Sequence, residues 1–236
     1  MTPKTLATNT PVTSTERMRI VAGESGGRKL VAPEGDQTRP TSERVREAIF
    51  NALFSQGLIE DARVLDMFAG SGALGLEALS RGAATGVFVE SSRRAVSAIH
   101  QNIDTLGYED RTTVLTTSIM TWLVRQTPPD NGDVAFDLAL CDPPYAFDEW
   151  DVVLGNTPAS VLVIESSREA ARRIDELVET QSGGAANRWD VLRSRRYGGT
   201  VVTILERIFA PAGADGSSIE EAKEARCDSS NPSSTH

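Results

Sequence analysis

Four residues, Asp142-Pro143-Pro144-Tyr145, form the stretch best suited to chemistry on an amino group. The two prolines remove backbone donors, so the turn offers only acceptors: the Asp142 carboxylate and the Pro143 carbonyl. Two acceptors can form hydrogen bonds with both N–H groups of a base's exocyclic amino group and so orient its lone pair toward an electrophilic methyl group. The new cation would lose a proton to Asp142 or to water. We therefore predict that these four residues are catalytic, with Tyr145 stacking on an extruded base.

A second candidate is the glycine loop, in which residues 70–75 read GSGALG and match the pattern G-x-G-x-x-G. The loop follows an apolar strand that ends near Asp66, and a helix begins inside it, so backbone can approach a ligand closely. The pattern alone is typical of dinucleotide sites. Glu90 ends the second strand and could accept the ribose hydroxyls of NAD or of another nucleoside, so it does not select the cofactor.

The charge of Asp66 favours one cofactor over the other. A carboxylate ahead of the glycines would repel a pyrophosphate, whereas S-adenosylmethionine (AdoMet) has no phosphate and carries a cationic methionine end. The sequence therefore favours AdoMet. The predicted cofactor contacts are Asp66, Phe68, Gly70, Ser71, Gly72, Glu90 and Asp142.

Alternating strands and helices must position these residues. Apolar runs predict strands at ARVLDMF, TGVFVE, TTVLTT, DLALCD, SVLVIE, WDVLRSRRY and TVVTILERI. Helices are predicted from Thr41 as N-cap and at 72–81, 92–106, 118–125, near 147–154 and at 168–179. Repeated β-α units with apolar strands indicate a mostly parallel α/β sheet covered on both faces, closed by a hairpin at Gly198-Gly199. This pattern does not give the strand order.

Composition narrows the class of protein. The chain has 236 residues, a net charge of −9 and two cysteines, Cys141 and Cys227, whose different contexts argue against a disulfide. No apolar run reaches the length of a membrane span, and the N-terminus has no secretory signal, so we expect a cytoplasmic protein. Residues 1–17 and the acidic residues 211–236 are predicted to be disordered tails around a domain at 18–210. No Cys/His cluster indicates a metal site.

Local basic residues are candidates for contacts with nucleic acid, since the negative overall charge leaves only local phosphate-binding surfaces. Arg28, Lys29 and Arg39 lie in the N-terminal part of the chain, and Arg195 and Arg196 lie beside Tyr197 in the last hairpin. We predict that these five residues, with Tyr145, contact the substrate.

The sequence resembles the RsmD-type 16S rRNA (guanine-N2)-methyltransferases. The resemblance runs from about Met18 to Phe209 and depends on RIVAGESGGRKLVAP, TRPTSERVREAIFNAL, LDMFAGSGALGLEALSRGA, FVESS, DPPY and RRYGGT. It implies a Rossmann-like class I methyltransferase fold with sheet order 3-2-1-4-5-7-6 and a small N-terminal β-hairpin extension at 18–40. It also implies AdoMet as cofactor, and 16S rRNA in the small ribosomal subunit or an assembly intermediate as partner. We expect a monomer.

The sequence departs from the pattern of its relatives at two places. Many AdoMet enzymes have an acid after the third strand that binds the adenine amino group, but here the segment reads Thr116-Thr117-Ser118, which makes Ser118 the candidate. The last hairpin often reads Tyr-Gly-Asp-Thr in relatives, and here it reads Tyr197-Gly-Gly-Thr200.

Three other functions remain open at this point. One keeps the chemistry but takes an adenine N6 or a cytosine N4 amino group in other RNA or in DNA. A second is an NAD-dependent oxidoreductase that uses the glycine loop. A third is an assembly factor that binds the small subunit without methylating it.

Overall fold

Seven strands form one sheet, and helices connect most of them along the chain. The computed structural model describes residues 18–33, 43–126, 134–181 and 187–209. The strands are β1 Arg63–Asp66, β2 Thr85–Glu90, β3 Thr112–Thr116, β4 Phe136–Cys141, β5 Ala159–Ser167, β6 Asn187–Tyr197 and β7 Thr200–Phe209. The helices are α1 Glu43–Ser55, α2 Ala73–Ser80, α3 Arg93–Leu106, α4 Ile119–Leu123, α5 Trp150–Asn156 and α6 Arg168–Gln181.

The strand order is β3-β2-β1-β4-β5-β7-β6, which confirms the class I methyltransferase fold expected from the resemblance. β1 to β5 pair in parallel, and β7 runs antiparallel to both β5 and β6. Parallel strands carry helices on both faces and are therefore apolar throughout, as the buried residues Leu138–Cys141 of β4 show. All carboxyl ends of β1 to β5 consequently meet at one edge, which we call the carboxyl edge.

Alternate residues of each strand belong to two separate cores. Leu138 and Leu140 pack in the core of α1, α2 and α3, so we call this side of the sheet the α1 face. Ala139 and Cys141 pack in the core of α4, α5 and α6, on the α4 face. This alternation assigns any strand residue to a face from its position.

The N-terminal segment 18–33 doubles back on itself but is less regular than the predicted hairpin. Its strand pairing is a single antiparallel bridge between Arg19 and Lys29. Backbone hydrogen bonds from the N–H groups of Ile20, Gly27 and Leu30 also join its two arms, but other donors of the segment are used elsewhere. The N–H groups of Val21 and Ala22 donate to the Glu77 carboxylate at 2.7 and 3.0 Å, and the Val31 N–H donates to Asn102 Oδ1 at 2.7 Å.

Glu77 of α2 connects this segment to the two helices below it. Its side chain is fully buried and pairs with Arg81 at 2.7 Å and with the buried Arg46 of α1 at 3.5 Å. Burial lowers the pKa of Arg46, while the Glu77 carboxylate opposes that shift. A buried charge that loses its partner costs about 3–5 kcal/mol, so this cluster holds segment 18–33 firmly against α1 and α2.

Some predictions fall outside the described residues. They are the N-cap at Thr41, Arg39, Cys227 and the two tails, 1–17 and 211–236. In the part of the chain that the structure describes, helix α1 begins at Glu43. It buries Val45, Ile49 and Leu53, as its helical spacing predicts. Among the residues that the structure describes, none of the helices combines the length and apolar character needed to cross a bilayer.

Candidate active site

Three carboxylates lie at the carboxyl edge of neighbouring parallel strands. Asp66 is the last residue of β1, Glu90 is the last residue of β2, and Asp142 directly follows β4. Because β2, β1 and β4 are adjacent in the sheet, the topology brings these residues together from distant parts of the sequence. Ligands of open α/β sheets bind at this edge.

Asp66 is buried and accepts a hydrogen bond from the Gly75 N–H in the first turn of α2 at 2.9 Å. Burial raises the pKa of Asp66 to about 7, and the negative charges of Asp142 and Glu90 add to the increase, while the Gly75 hydrogen bond opposes it. The Gly75 hydrogen bond therefore joins the Asp66 carboxyl group to the start of α2, and the negative charges that act on Asp66 come from Asp142 and Glu90. A direct contact between Asp66 and a cofactor stays a prediction.

Glu90 holds the glycine loop in place through both of its carboxylate oxygens. Oε2 accepts the Gly70 N–H at 2.8 Å, and Oε1 accepts the Ser92 N–H at 2.7 Å. A carboxylate offers about four acceptor positions, so these two bonds leave capacity for ribose hydroxyl groups. The loop and the predicted ribose acceptor thus form one connected unit.

The three glycines of the loop have different roles. Gly70 has φ of 54°, and a Cβ there would meet only the Phe68 carbonyl oxygen, at 3.9 Å. A Cβ on Gly75 would lie 2.4 Å from the Phe88 ring of β2, so Gly75 permits close packing of α2 on the sheet. Gly72 has φ of 79° and faces Leu76 and Phe88 at 3.3 and 3.4 Å. Of these three glycines, only Gly70 leaves open space for a ligand. Gly70 is therefore the glycine of this loop that best fits the predicted close approach of a cofactor.

Ser71 turns its side chain away from the strand ends. Its hydroxyl donates to the Met18 sulfur at 3.1 Å, and its carbonyl accepts from Asn102 Nδ2 at 2.9 Å. These contacts join the glycine loop to segment 18–33 and α3. A contact between Ser71 and a cofactor would therefore involve its backbone.

A cavity of about 300 Å³ opens between β2, the start of α4 and the turn after β4. It brings together four predicted site residues, namely Phe68, Glu90, Ser118 and Pro144. The apolar walls, which include Ile119, Met120 and Phe147, were not predicted from the sequence. The Phe147 ring lies edge-on to Phe68 at 5.2 Å and to the buried Trp150 at 4.9 Å. The only sequence signal for Phe147 was its position two residues after Tyr145.

The turn after β4 presents its side chains toward solvent. Asp142 and Pro143 are half-buried, while Pro144 and Tyr145 are exposed. The Phe147 N–H donates to the Pro144 carbonyl at 2.9 Å and closes the turn. Tyr145 is 76% exposed, so its ring is available as a stacking surface beside the cavity.

The basic candidates separate into two groups. Tyr197 pairs with Thr200, which pairs with Ser167 at the end of β5, so Arg195 and Arg196 lie at the carboxyl edge. By contrast, Arg28 donates to the Thr105 carbonyl at the end of α3.

Helix α3 starts at the carboxyl edge and ends at the opposite one, so Arg28 lies away from the cavity, and its contact with the substrate stays a prediction. Segment 18–33 runs along α2, from Ser71, which donates to the Met18 sulfur, to Ser80, whose carbonyl accepts a hydrogen bond from the Glu24 N–H. Lys29, the next residue, is also exposed. In the parts of the chain that the structure describes, no group of His, Cys, Asp and Glu side chains is arranged to hold a metal ion.

The family described as Conserved hypothetical protein 95 matches residues 18–206 of this chain. The chain is 40% identical to the ribosomal RNA small subunit methyltransferase D of Escherichia coli K12 over 129 residues, which are 55% of this chain and 61% of that protein. It is 37% identical to the protein of the same name from Haemophilus influenzae over 132 residues, 56% of this chain and 65% of that one. The matches to these curated relatives therefore span just under two thirds of their length.

The fold is also similar to solved structures. The structure of the Escherichia coli protein yhhF superposes with a TM-score of 0.64 at 30% identity, over 83% of this chain and 99% of that one. This similarity agrees with the fold described above.

Proposed function

The chain belongs to the Conserved hypothetical protein 95 family, the RsmD-type methyltransferases, and on this premise we propose that it methylates the N2 amino group of a guanine in 16S rRNA with AdoMet. One observation carries the proposal. A cavity lined by Glu90, suited to bind a nucleoside ribose, is bordered by Pro144 of the turn that also carries Asp142, suited to bind an amino group.

The residues present fit AdoMet better than a dinucleotide. Asp66, Glu90 and Asp142 bring three acidic groups to this edge, and the charges of Asp142 and Glu90 add to the effect of burial in raising the pKa of Asp66. Such a site attracts a cation and repels a pyrophosphate. Glu90 would accept the ribose hydroxyls, Gly70 would allow the close approach of the methionine end, and Phe68, Ser118 and Phe147 would surround the adenine.

When bound, AdoMet supplies an electrophilic methyl group on a sulfonium. Asp142 and the Pro143 carbonyl would accept hydrogen bonds from the two N–H groups of the amino group and so orient its lone pair. Tyr145 would hold the extruded base by stacking, worth about 1–3 kcal/mol. Orientation of two reactants can lower a barrier by up to about 7–11 kcal/mol, so this turn contributes mainly by positioning. Asp142 or a water molecule would take the released proton.

The substrate would be the small ribosomal subunit or an assembly intermediate. The names of the relatives from Escherichia coli and Haemophilus influenzae support a small-subunit rRNA. Arg195 and Arg196, at the carboxyl edge, would contact its phosphates. We propose a cytoplasmic monomer in which Arg39 also borders the base.

Labelled AdoMet and small subunits from a strain that lacks this protein test the proposal. We expect one labelled nucleotide, and digestion to nucleosides should identify it as N2-methylguanosine. Label on an adenine or a cytosine would indicate the alternative amino-methyltransferase. Isothermal titration with AdoMet and with NADH provides a separate test, and binding of NADH alone would contradict the choice of cofactor.

A further inference from the structure

A glutamate on β5 lies directly beside Asp142. β4 and β5 pair in parallel with Leu140 opposite Val163 and Cys141 opposite Ile164. The next position along each strand places Asp142 opposite Glu165. Neighbouring strands lie about 4.8 Å apart, so the two carboxylates project from adjacent backbone positions at the carboxyl edge.

Both side chains belong to the same face of the sheet. Leu140, two residues before Asp142, and Val163, two residues before Glu165, pack in the α1 core. Glu165 also pairs with Val202 of β7, which belongs to the same core. The period of two then assigns Asp142 and Glu165 to the α1 face. The cavity beside Glu90 is lined by Ile119, whose packing belongs to the α4 face, so Glu165 lies on the other side of the Asp142 turn.

If Asp142 binds the amino group of a base, the ring nitrogen beside that amino group would face the neighbouring Glu165. In guanine the ring nitrogen N1 beside the 2-amino group carries a hydrogen and is a donor. In adenine and in cytosine the ring nitrogen beside the amino group has a lone pair and is an acceptor. A carboxylate accepts hydrogen bonds and has none to donate, so it binds the first arrangement and repels the other two.

We infer that Glu165 is a specificity-determining residue that accepts the guanine N1–H while Asp142 and Pro143 hold the 2-amino group. This inference depends on the proposed function, because it names the feature of the base that the same site selects. It also gives a structural reason to prefer guanine over the adenine and cytosine alternatives.

The remaining residues of the same cross-strand row agree with this orientation. Val202 is opposite Arg195 on β6, so the row runs from Asp142 through Glu165 and Val202 to Arg195. Glu165 is half-buried and Arg195 is exposed. The row therefore offers acceptors for a base edge at one end and a cation for a phosphate at the other.

Base analogues in the substrate test the inference. Small-subunit particles would be assembled with a synthetic RNA segment that carries guanosine or 2-aminopurine riboside at the mapped target position. 2-Aminopurine keeps the 2-amino group, but its N1 is an acceptor. We expect wild-type kcat/KM to be about 100-fold lower on 2-aminopurine, because a site built around a donor rejects an analogue that lacks it.

Glu165→Gln is the informative variant, because its amide can donate to N1 of 2-aminopurine. It should lower kcat/KM on guanosine by about 10- to 100-fold and reduce the preference for guanosine to below about 10-fold. AdoMet affinity should not change. Glu206→Gln, a half-buried glutamate of β7 paired with Val161 at the opposite edge, is the matched control and should keep the wild-type preference.

A Glu165→Gln protein with the wild-type preference would overturn the inference. If that variant does not fold, Glu165→Asp provides the test, since it keeps the charge and withdraws the carboxylate. It should lose activity on guanosine by at least about 10-fold while AdoMet still binds, and unchanged activity would again overturn the inference. A wild-type protein that methylates no guanosine would instead contradict the proposed function.

Discussion

Asp142 is the residue on which the proposed chemistry depends most directly. It follows the buried strand β4, is half-buried itself, and raises the pKa of Asp66 through its charge. Asp142 therefore contributes to the negative charge of the site and is also the residue that would bind the amino group of a substrate. Because the cavity is lined by Glu90 and Phe68, we expect substitution of Asp142 to affect methyl transfer more than cofactor binding.

We expect Asp142→Ala to lower single-turnover methyl transfer by at least about 1,000-fold, because the amino group loses both its orientation and a proton acceptor. AdoMet affinity by titration calorimetry should change less than about tenfold. Asp151→Ala, an exposed aspartate of α5, is the control and should retain activity. Transfer near the wild-type rate in Asp142→Ala would contradict the assignment.

Asp66 should make cofactor binding depend on pH. Its pKa is raised to about 7, from 3.8, so the folded protein without cofactor holds a proton that the unfolded chain releases. Stability should therefore decrease as pH rises from about 4 to about 7 and then level off. A bound cation favours the ionised carboxylate, so AdoMet affinity should increase as pH rises through 7.

Titration calorimetry between about pH 6 and about pH 8, in buffers of different ionisation enthalpy, measures the proton released when AdoMet binds. We expect proton release to be largest below pH 7 in the wild type. Asp66→Asn should bind AdoMet without this release, and a variant that released as many protons as the wild type would assign the effect to another group.

At the scale of elements, the contact between α2 and the sheet depends on Gly75. A Cβ at this position would lie 2.4 Å from Phe88 Cε1 and 3.2 Å from Asp66 Oδ2. We expect Gly75→Ala to reduce the free energy of unfolding in urea by about 1–3 kcal/mol through overpacking. Gly155→Ala in α5, where a Cβ meets nothing within 4 Å, should be neutral or stabilise by up to about 1 kcal/mol. Equal effects of the two substitutions would contradict this account.

The elements themselves were largely predictable from the sequence. Apolar runs and helical spacing predicted the strands and most helices within a few residues; α3, for example, was predicted at 92–106 and is observed at Arg93–Leu106. The hairpin of segment 18–33 was predicted too regularly, because nothing local indicates that Val21 and Ala22 donate to the distant Glu77. Local patterns report periodicity and do not report which remote side chain satisfies a backbone group.

The site was predictable in its strand-end carboxylates and less so in its walls. Asp66, Glu90 and Asp142 were identified because each follows an apolar run. Phe147 and Glu165 were not, since their positions at this edge depend on turn geometry and on the register between strands, which composition does not determine. The structural roles of Gly70, Gly72 and Gly75 likewise depend on which atoms surround each glycine, and the sequence pattern does not indicate these atoms.

At the scale of the whole molecule, charge is unevenly distributed for a protein proposed to bind RNA. The chain carries a net charge of −9, so general attraction to a polyanion is unfavourable. Binding must depend on a few local cations near the carboxyl edge, of which Arg195 and Arg196 lie beside the hairpin tip, where Arg196 donates to the Gly198 carbonyl at 2.9 Å.

We expect the double substitution Arg195→Ala and Arg196→Ala to weaken binding to the small-subunit particle by about tenfold or more. The dependence of log Kd on log salt should become shallower by about one to two, because fewer counterions are released. Filter binding over a salt series measures both. Arg28→Ala, at the opposite edge, is the control. A stronger effect of Arg28→Ala than of the double substitution would place the RNA on the other edge.

The edge-on contact between Phe147 and Trp150 has an optical consequence. Trp150 is almost completely buried, and Phe147 separates it from the cavity. The chain has three tryptophans, and this one contacts the ring of Phe147, which lines the cavity. Occupation of the cavity should therefore change the emission of Trp150. The protein would then carry an intrinsic fluorophore that reports ligand entry in a stopped-flow experiment without an added label.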